Sequence, residues 1–387
     1  MKLFTKIFQV LIISFFILQS CSSPQLSVKL KNDLDIDRTE IISVQIGDIQ
    51  NAGIKNLDNI ELKNQNGESL VTQITASNEL LFQASIGPKT EVAYTISENP
   101  EKKEIESSVS TFSRFVPERI DDYAWENDRV AFRTYGPEAQ RLDEENLPGK
   151  TLSSGMDCWL KKVDYPIIDK WYKQDKEGKS YHKDHGEGLD NYHVGPSRGC
   201  GGITLFVKDT FYTSKNFQKW ERIDVGPLRT SFKLAYDPWD AGGITVNEEK
   251  NISLDLGSNL MKIELDLKTS DPIAYATVGV AIHDSTATTS VSEKYGWFNV
   301  SSPHADSELS TAVLLTPIDV DDFETVLSPI PDKSHLYVHG SLNQGKLTYY
   351  AGFTWKKSKQ FATDADWEAY LSEYTNRLES PIKVSLE

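Results

Sequence analysis

The residues best suited to chemistry lie in one segment, Tyr181 to Gly202. It holds three of the seven histidines of the chain, together with acidic residues, tyrosine and arginine. Its density of Gly, Asp and Asn is incompatible with a long helix or a central strand, which predicts an ordered loop. Imidazole and phenol groups serve as general acids and bases. The segment therefore predicts a functional loop; the alternative is that its histidines only bond the backbone in turns.

The same loop offers side chains that suit a divalent metal ion. Imidazoles favour zinc and carboxylates favour calcium, but the spacing matches no fixed metal signature. A divalent cation is therefore an open alternative to histidines that act without metal. The formal G-x-S-x-G pattern at residues 195–199 lacks the preceding strand and following helix of a nucleophile elbow. The candidate metal ligands are His182, Asp184, His185, Glu187, Asp190 and His193.

A second candidate surface is the strand predicted over residues 129–135. Period-two alternation places Val130, Phe132 and Thr134 on one face, and Arg133 and Tyr135 on the other. A guanidinium beside a phenol suits an anionic sugar, because arginine binds carboxylate or sulfate through a bidentate fork. A solvated strand face is the alternative interpretation.

Aromatic and cationic residues also alternate closely after Cys158. Aromatic rings could stack on sugar faces while the cations meet acidic groups; otherwise the segment is a solvated surface with core aromatics. No GxGxxG or Walker loop is present, which excludes the common nucleotide-cofactor sites. The net charge of −16 argues against a nucleic-acid partner. The residues concerned are Trp159, Lys161, Lys162, Tyr165, Trp171 and Tyr172.

The N-terminus has the layout of an export signal. Lys2 and Lys6 precede an apolar run, and Leu18-Gln19-Ser20-Cys21 resembles a bacterial lipobox. We expect residues 1–20 to be removed and residues 21–25 to tether the chain through a lipid on Cys21. The membrane is then a partner through that anchor, and Ser22 and Ser23 favour the outer membrane, facing the periplasm. A plain signal peptide cleaved near Ser20 is the alternative.

Two cysteines then remain for the folded part, Cys158 and Cys200. An oxidising compartment allows them to form a disulfide. Two free buried thiols are the alternative, because the sequence does not show whether the Cα atoms come within bridging range.

The elements that must position these residues are almost all strands. Short β-type runs separated by turn residues predict a small antiparallel β-sandwich over residues 26–112. Longer runs predict a large antiparallel, supersandwich-like β-sandwich over residues 113–387. One helix is predicted near the C-terminus, with Thr363 as its cap and Ser380-Pro381 as its end. The fold class is therefore all-β with a C-terminal helix.

Several of these features together resemble one family. They are the lipobox, the small β domain, Asp122–Pro137 with its Trp-Glu-Asn-Asp core, Gly155-Met156-Asp157-Cys158-Trp159 and the histidine loop. The family comprises bacterial envelope lipoproteins first catalogued as a domain of unknown function and associated with ulvan oligosaccharide dehydratases. The resemblance implies removal of water from the non-reducing-end glucuronic or iduronic acid of a rhamnose-3-sulfate oligosaccharide. The product is a 4,5-unsaturated uronate.

That reaction suggests roles for particular residues. It needs a base for the C5 proton, an acid for the C4 hydroxyl and a cation for the carboxylate. A non-catalytic glycan-binding lipoprotein and a mutarotase-like epimerase are the alternative functions. We predict catalytic roles for His185, Tyr192, His193 and Arg198. We predict substrate contacts for Trp125, Asn127, Arg133, Tyr135, Trp159, Lys161 and His182.

Overall fold

A computed structural model describes residues 24–387 of the chain. The predicted signal peptide and the lipidation site Cys21 lie outside the described residues, so both stay predictions. Within residues 24–387, no helix is long and apolar enough to cross a membrane.

The N-terminal part forms a small sandwich of two antiparallel sheets. Alternating residues such as Val28, Leu30, Phe82 and Ile96 point into the space between the sheets and form a core of their own. The first sheet has the order C-terminal strand, β1, β6, β3, and the second has the order β2, β5, β4. The elements are β1 (Gln25–Lys31), β2 (Arg38–Gln45), α1 (Ile46–Asn51), β3 (Ile60–Lys63), β4 (Thr72–Ile74), β5 (Glu79–Ile86) and β6 (Glu91–Glu98).

The larger part of the chain is also built mainly from antiparallel strands. Its strands are β7 (Phe112–Val116), β8 (Asp122–Glu126), β9 (Ala131–Thr134), β10 (Asp157–Lys161), β11 (Gly188–Leu189), β12 (Cys200–Val207), β13 (Thr210–Tyr212), β14 (Phe217–Asp224), β15 (Arg229–Tyr236), β16 (Trp239–Ala241), β17 (Ile244–Asp255), β18 (Leu260–Thr269), β19 (Tyr275–Ala281), β20 (Thr288–Ser292), β21 (Trp297–His304), β22 (Ser307–Leu314), β23 (Val320–Val326), β24 (His335–Ser341) and β25 (Lys346–Trp355). Its helices are α2 (Pro137–Glu144), α3 (Ile168–Lys176) and α4 (Asp364–Glu379), and β26 (Lys383–Leu386) follows.

Three sheets make the large sandwich. The long sheet has the order β14-β15-β17-β18-β25-β22-β21-β20, with β16 beside β17. The motif sheet has the order β11-β10-β9-β8-β7, and the histidine sheet has the order β13-β12-β19-β24-β23. A bridge between Met156 and Gly199 joins the two smaller sheets side by side. Both cover the inner face of the long sheet, and their apolar residues share one core with it. The predicted all-β sandwich class is confirmed.

Helices cover the outer faces of two of these sheets. The residues Ile168, Trp171 and Tyr172 of α3 pack on the motif sheet, and Trp367 and Leu371 of α4 pack on the long sheet. Helix α4 begins with the predicted capping box.

The last strand of the chain, β26, lies in the small sandwich. It pairs with β1, with Leu30 opposite Val384. The chain therefore returns to the small sandwich after completing the large one. The predicted division between residues 112 and 113 falls at the start of β7, and it assigns β26 to the large sandwich although this strand pairs in the small one.

Candidate active site

The segment from Tyr181 to Gly202 crosses from the motif sheet to the histidine sheet. Its first part covers the outer face of the motif sheet and contributes β11, which pairs with β10. Its last part enters β12 of the histidine sheet. Between them, residues 190–193 connect a buried ionic cluster to an exposed group of imidazoles.

Three histidines meet at the surface beside the end of the histidine sheet. His193 comes from the loop, while His283 follows β19 and His304 ends β21. The ring centroids of His193 and His283 are 5.7 Å apart. The ring of Tyr192 lies 5.4 Å from that of His283 and 6.3 Å from that of His304. We call these four residues and Asp332 the imidazole cluster.

Asp332 lies between two of the imidazoles. Its Oδ2 is 3.1 Å from Nε2 of His193, and its Oδ1 is 3.6 Å from Nδ1 of His283. A Cβ on Gly195 would lie 2.7 Å from both Oδ2 of Asp332 and Nε2 of His193. Only glycine therefore leaves room for this pair. The carboxylate orients both rings, as in hydrogen-bonded carboxylate and histidine pairs of known catalytic sites.

Two of the three imidazoles are held in their neutral form. Burial lowers the pKa of His283 and the pKa of His304 below their ordinary value. Asn191 Oδ1 lies 2.9 Å from Nε2 of His304 and fixes that ring. A neutral imidazole can accept a proton near neutral pH. The cluster therefore contains both a carboxylate that orients histidines and rings able to act as bases.

Tyr192 belongs to the cluster through its ring rather than its hydroxyl. The residue is only 8% exposed, and its hydroxyl is buried without a hydrogen-bond partner in residues 24–387. Burial raises the pKa of this phenol well above its ordinary value. The hydroxyl is therefore neutral and directed inward, away from a substrate at the surface. This corrects the prediction that Tyr192 supplies a catalytic proton.

Arg198, a predicted catalytic cation, lies inside the protein. Its guanidinium donates hydrogen bonds to Ser154 Oγ at 2.9 Å and to the carbonyl oxygens of Ile203 and Pro196. Its backbone N–H donates to Nε2 of His335 at 3.0 Å. With 3% exposure, the side chain fixes the end of the loop and does not reach a substrate.

The buried ionic cluster lies on the outer face of the motif sheet, under the loop. We use this name for Arg133, Asp122, Asp157 and Asp190. One guanidinium nitrogen of Arg133 is 2.5 Å from Asp157 Oδ2 and 3.0 Å from Asp190 Oδ2. Asp122 Oδ2 is 3.7 Å from the other. All four residues are at most 5% exposed.

Two guanidinium groups, that of Arg133 and that of nearby Arg119, cannot neutralise three buried carboxylates. Burial raises the pKa of Asp122 to about 7, and it also raises the pKa of Asp157 and of Asp190. The carboxyls of the cluster therefore keep their protons to a higher pH than exposed carboxyls do. Arg133 shows the predicted alternation with Phe132 across β9, but its charge is used internally rather than on a sugar. Tyr135 is likewise buried, with its ring 5.4 Å from that guanidinium.

Lys161 and Asn127, both predicted to contact substrate, have structural roles. Lys161 Nζ lies 2.9 Å from Glu126 Oε2 and donates to the carbonyl oxygen of Asn127 at 2.7 Å. The side chain of Asn127 donates to the carbonyl oxygens of Asp255 and Ser258. Because all of the polar groups are buried and paired, they join the motif sheet to its surroundings.

The two predicted sugar-stacking tryptophans are also interior. Trp125 lies in the core, 5.6 Å from the ring of Phe132. Trp159 stacks at 5.6 Å on Trp171 of α3 and at 5.0 Å on Tyr181. Both tryptophans have no exposed surface. Trp159, Trp171 and Tyr172 therefore attach α3 and the loop to the motif sheet, whereas Tyr165 is exposed.

The remaining loop histidines lie apart from the imidazole cluster. His182 Nδ1 is 2.6 Å from the carbonyl oxygen of Asp190, and His185 Nε2 is 3.1 Å from that of Ser180. Both side chains are exposed. Across residues 24–387, no group of three or more His, Cys, Asp or Glu residues is arranged to hold a metal ion. The predicted ligand set is therefore dispersed along the loop.

The cysteines Cys158 and Cys200 lie against each other in the core as free thiols. Neither has exposed surface. Cys200 Sγ is 3.2 Å from the carbonyl oxygen of Gly352, and burial raises the pKa of Cys158 well above its ordinary value. The structure thus has two buried free thiols rather than the predicted disulfide, and burial shields both sulfurs from oxidants.

Sequence reasoning did not place His283, His304 and Asp332 in the site. They lie about 90 to 140 residues after His193, at the ends of strands or in the turn before β24. A histidine that ends a predicted strand is a weak signal, because only the sheet order brings separate strand ends together.

The sequence of this chain matches a known protein family. The family model described as "Domain of unknown function (DUF4861)" matches residues 30–384. The chain belongs to this family. A relative of this chain is "Uncharacterized protein P7" of Formosa agariphila, which is 42% identical over 370 residues, covering 93% of each chain.

Solved structures show a more distant likeness. A protein in glycosyl hydrolase family 38 from Enterococcus faecalis has a TM-score of 0.49 and 9% identity, covering 95% of this chain and 48% of its own. An alpha-mannosidase from Enterococcus faecalis V583 has a TM-score of 0.45 and 10% identity, covering 94% and 46%. The DUF4861 chain thus spans about half the length of either structure. A likeness at this level carries no information about activity.

Proposed function

We propose that the protein is a hydro-lyase that acts on the uronic acid at the non-reducing end of an anionic oligosaccharide. The substrate class is ulvan-type oligosaccharide with rhamnose-3-sulfate, and the product is a 4,5-unsaturated uronate. The observation that carries the proposal is the imidazole cluster. A surface site with three imidazoles and a carboxylate between two of them suits proton abstraction beside a carboxyl group.

The proposed reaction assigns one proton transfer to each of two histidines. His283 takes the C5 proton through Nε2, because its Nδ1 faces Asp332. The C5–H electrons form the C4–C5 double bond, and the C4–O bond breaks. His193 gives a proton through Nδ1 to the departing hydroxyl, which leaves as water. Because burial lowers the pKa of His283, this ring is neutral and can accept the C5 proton near neutral pH.

Asp332 also provides a way to restore the starting state. After elimination, His283 carries the proton that came from C5, and His193 has lost one. The two oxygens of Asp332 lie 3.1 Å and 3.6 Å from nitrogens of these rings. A proton can return between the rings along this carboxylate, so no net proton is consumed.

The carboxylate of the sugar needs a cation other than the two buried arginines. Lys333 follows Asp332 directly and is exposed, and its charge acts on the imidazole of His335 beneath the cluster. We assign to Lys333 the neutralisation of the substrate carboxylate as negative charge develops in the transition state.

Ultraviolet absorbance tests the proposal directly, because only elimination creates a conjugated product. Saturated uronic-acid-ended ulvan oligosaccharides should give a new absorbance band with the unaltered protein. His193→Ala should lower the rate by about 10²–10⁴-fold. The matched control is His185→Ala, which removes a histidine of the same loop outside the imidazole cluster and should leave the rate unchanged.

Two results would contradict the assignment. Equal rates for His193→Ala and the unaltered protein would remove the imidazole cluster from the reaction. Binding of the oligosaccharide without any new absorbance would instead favour a glycan-binding lipoprotein or an epimerase.

A further inference from the structure

His304 is the imidazole of the cluster that the two proposed proton transfers do not use. It ends β21 and is paired in register with Ser307 of β22. The two residues between them, Ala305 and Asp306, both have positive φ, as the tightest hairpin turns require. This turn fixes where the long sheet presents the ring, which is next to Tyr192 of the loop at a centroid distance of 6.3 Å.

Asn191 determines which nitrogen of His304 carries the hydrogen. Oδ1 of Asn191 lies 2.9 Å from Nε2 of His304, and an amide oxygen only accepts, so Nε2 is the donor. Burial lowers the pKa of His304, and a neutral imidazole carries a single ring hydrogen. Nδ1 of His304 is therefore a hydrogen-bond acceptor.

Each residue of this pair keeps one polar group free for a ligand. Within residues 24–387, Nδ1 of His304 and Nδ2 of Asn191 have no hydrogen-bond partner. Asn191 is exposed and His304 is half-buried. The amide nitrogen only donates and Nδ1 only accepts. Because the two nitrogens of an imidazole point away from each other, the two free groups do not converge on one atom. They suit two neighbouring hydroxyls, one of which accepts from the amide while the other donates to the imidazole.

The neighbouring charges also favour neutral ligand groups at this pair. Asp284 directly follows His283, and Asp306 lies in the turn after His304. Both carboxylates repel a sulfate or a second carboxylate, and neither of those anions has a hydrogen to give to Nδ1. Lys333, to which we assign the sugar carboxylate, instead follows the aspartate between the other two imidazoles.

We propose that Asn191 and His304 bind the neighbouring C2 and C3 hydroxyls of the reacting uronic acid. The proposed reaction leaves no other hydroxyl on that ring, because the carboxylate is attached to C5, the C4 hydroxyl departs and C1 is bonded to the next sugar. The inference rests on the proposed function for the identity of this sugar. A sulfate at C2 or C3 would meet the negative charge of Asp284 and Asp306, so the pair selects an unsulfated uronic acid.

A cycle that changes the protein and the substrate separately tests these contacts. The substrates are a uronic-acid-ended ulvan disaccharide and its 2-deoxy and 3-deoxy analogues. We expect each analogue to lower kcat/KM of the unaltered protein by about tenfold, the size of one lost hydrogen bond. In Asn191→Ala, the disaccharide should also lose about tenfold. One analogue should then cost less than about twofold more, because its missing hydroxyl has no partner left to lose.

His304→Ala should show the same pattern with the other analogue. His304→Asn, whose Oδ1 can accept in place of Nδ1, should recover part of that loss. The matched control is Asn247→Ala, at an exposed asparagine of β17, which should keep the rate on the disaccharide and the full tenfold loss with both analogues. The losses of the unaltered protein with the analogues do not depend on the folding of any variant.

Calorimetric binding of the same three sugars separates this inference from the proposed reaction. If the unaltered protein binds the disaccharide without a new absorbance band, and the affinities show the same cycle, the reaction fails while the hydroxyl contacts are supported. Elimination at equal rates on the disaccharide and both analogues would overturn the hydroxyl contacts while the reaction stands. Losses in Asn191→Ala and His304→Ala that simply add to those of both analogues would do the same. Absence of both binding and elimination would overturn both proposals.

Discussion

Replacing Asp122 with asparagine should change how stability depends on pH. The carboxyl is 1% exposed and lies beside Arg133 and Asp157 in the buried ionic cluster, with Tyr172 and Arg119 also facing it. Burial outweighs the attraction of the two guanidinium groups and raises its pKa from 3.8 to about 7. Between these values the native protein keeps a proton that the unfolded chain has lost.

The sign and size of the effect follow from that difference in bound protons. Stability falls as pH rises wherever the native state binds more protons than the unfolded state. At about 1.4 kcal/mol for each pH unit, the raised pKa corresponds to at most about 4 kcal/mol of unfolding free energy, lost as pH rises through about 7. Asparagine does not ionise, so Asp122→Asn should not show this loss.

Urea unfolding followed by tryptophan fluorescence measures the effect. We expect the unfolding free energy of Asp122→Asn, minus that of the unaltered protein, to increase by up to about 4 kcal/mol between about pH 4 and pH 8. Asp164→Asn, which removes the same charge from an exposed position, should show no such increase. A difference for Asp122→Asn that stays constant across this range would refute the claim that a buried proton is held at this carboxyl.

Four further changes test other parts of the structure. Tyr192→Phe removes a buried hydroxyl without a partner, so elimination should stay within about twofold and thermal unfolding should show stability unchanged or raised by about 1 kcal/mol; a large rate loss would restore the hydroxyl to catalysis. Lys161→Met leaves a buried carboxylate unpaired and should cost about 3–5 kcal/mol in denaturant unfolding, whereas a loss below about 1 kcal/mol would contradict the buried pair. Thiol titration should detect Cys158 and Cys200 only after unfolding, and their absence in denaturant would indicate a disulfide. Cys21→Ala should move the protein from the membrane to the soluble fraction, and persistent membrane association would exclude a lipid anchor there.

Local sequence signals were sufficient where neighbouring residues determine the structure. The capping residues at Thr363 and Asp366 and the apolar spacing after them define α4, and the helix begins as predicted. Alternation in β9 directs Phe132 to the core and Arg133 to the opposite face, as expected from the period of a strand. The all-β class follows from many such runs.

The sequence did not predict which charged and aromatic side chains are buried. Arg133 and Arg198 were chosen because guanidinium groups bind acids, and alternation correctly placed Arg133 away from the core. A sheet has a second face, however, and α3 and the loop cover it here. Charge and aromatic character are the same for an internal ion pair and for a ligand site, so only the packing of distant elements distinguishes them.

What the sequence determined by itself is the class of fold, an antiparallel β protein, and the order of residues in the segment from Tyr181 to Gly202, which carries His193. What only the tertiary structure decided is which partners that histidine has. His283 and Asp332 come from strand ends and turns far along the chain, and the order of strands in the histidine sheet brings them within 5.7 Å and 3.1 Å of it. The physical reason is that strand pairing depends on the burial of whole faces, a property of the complete core rather than of any local run of residues.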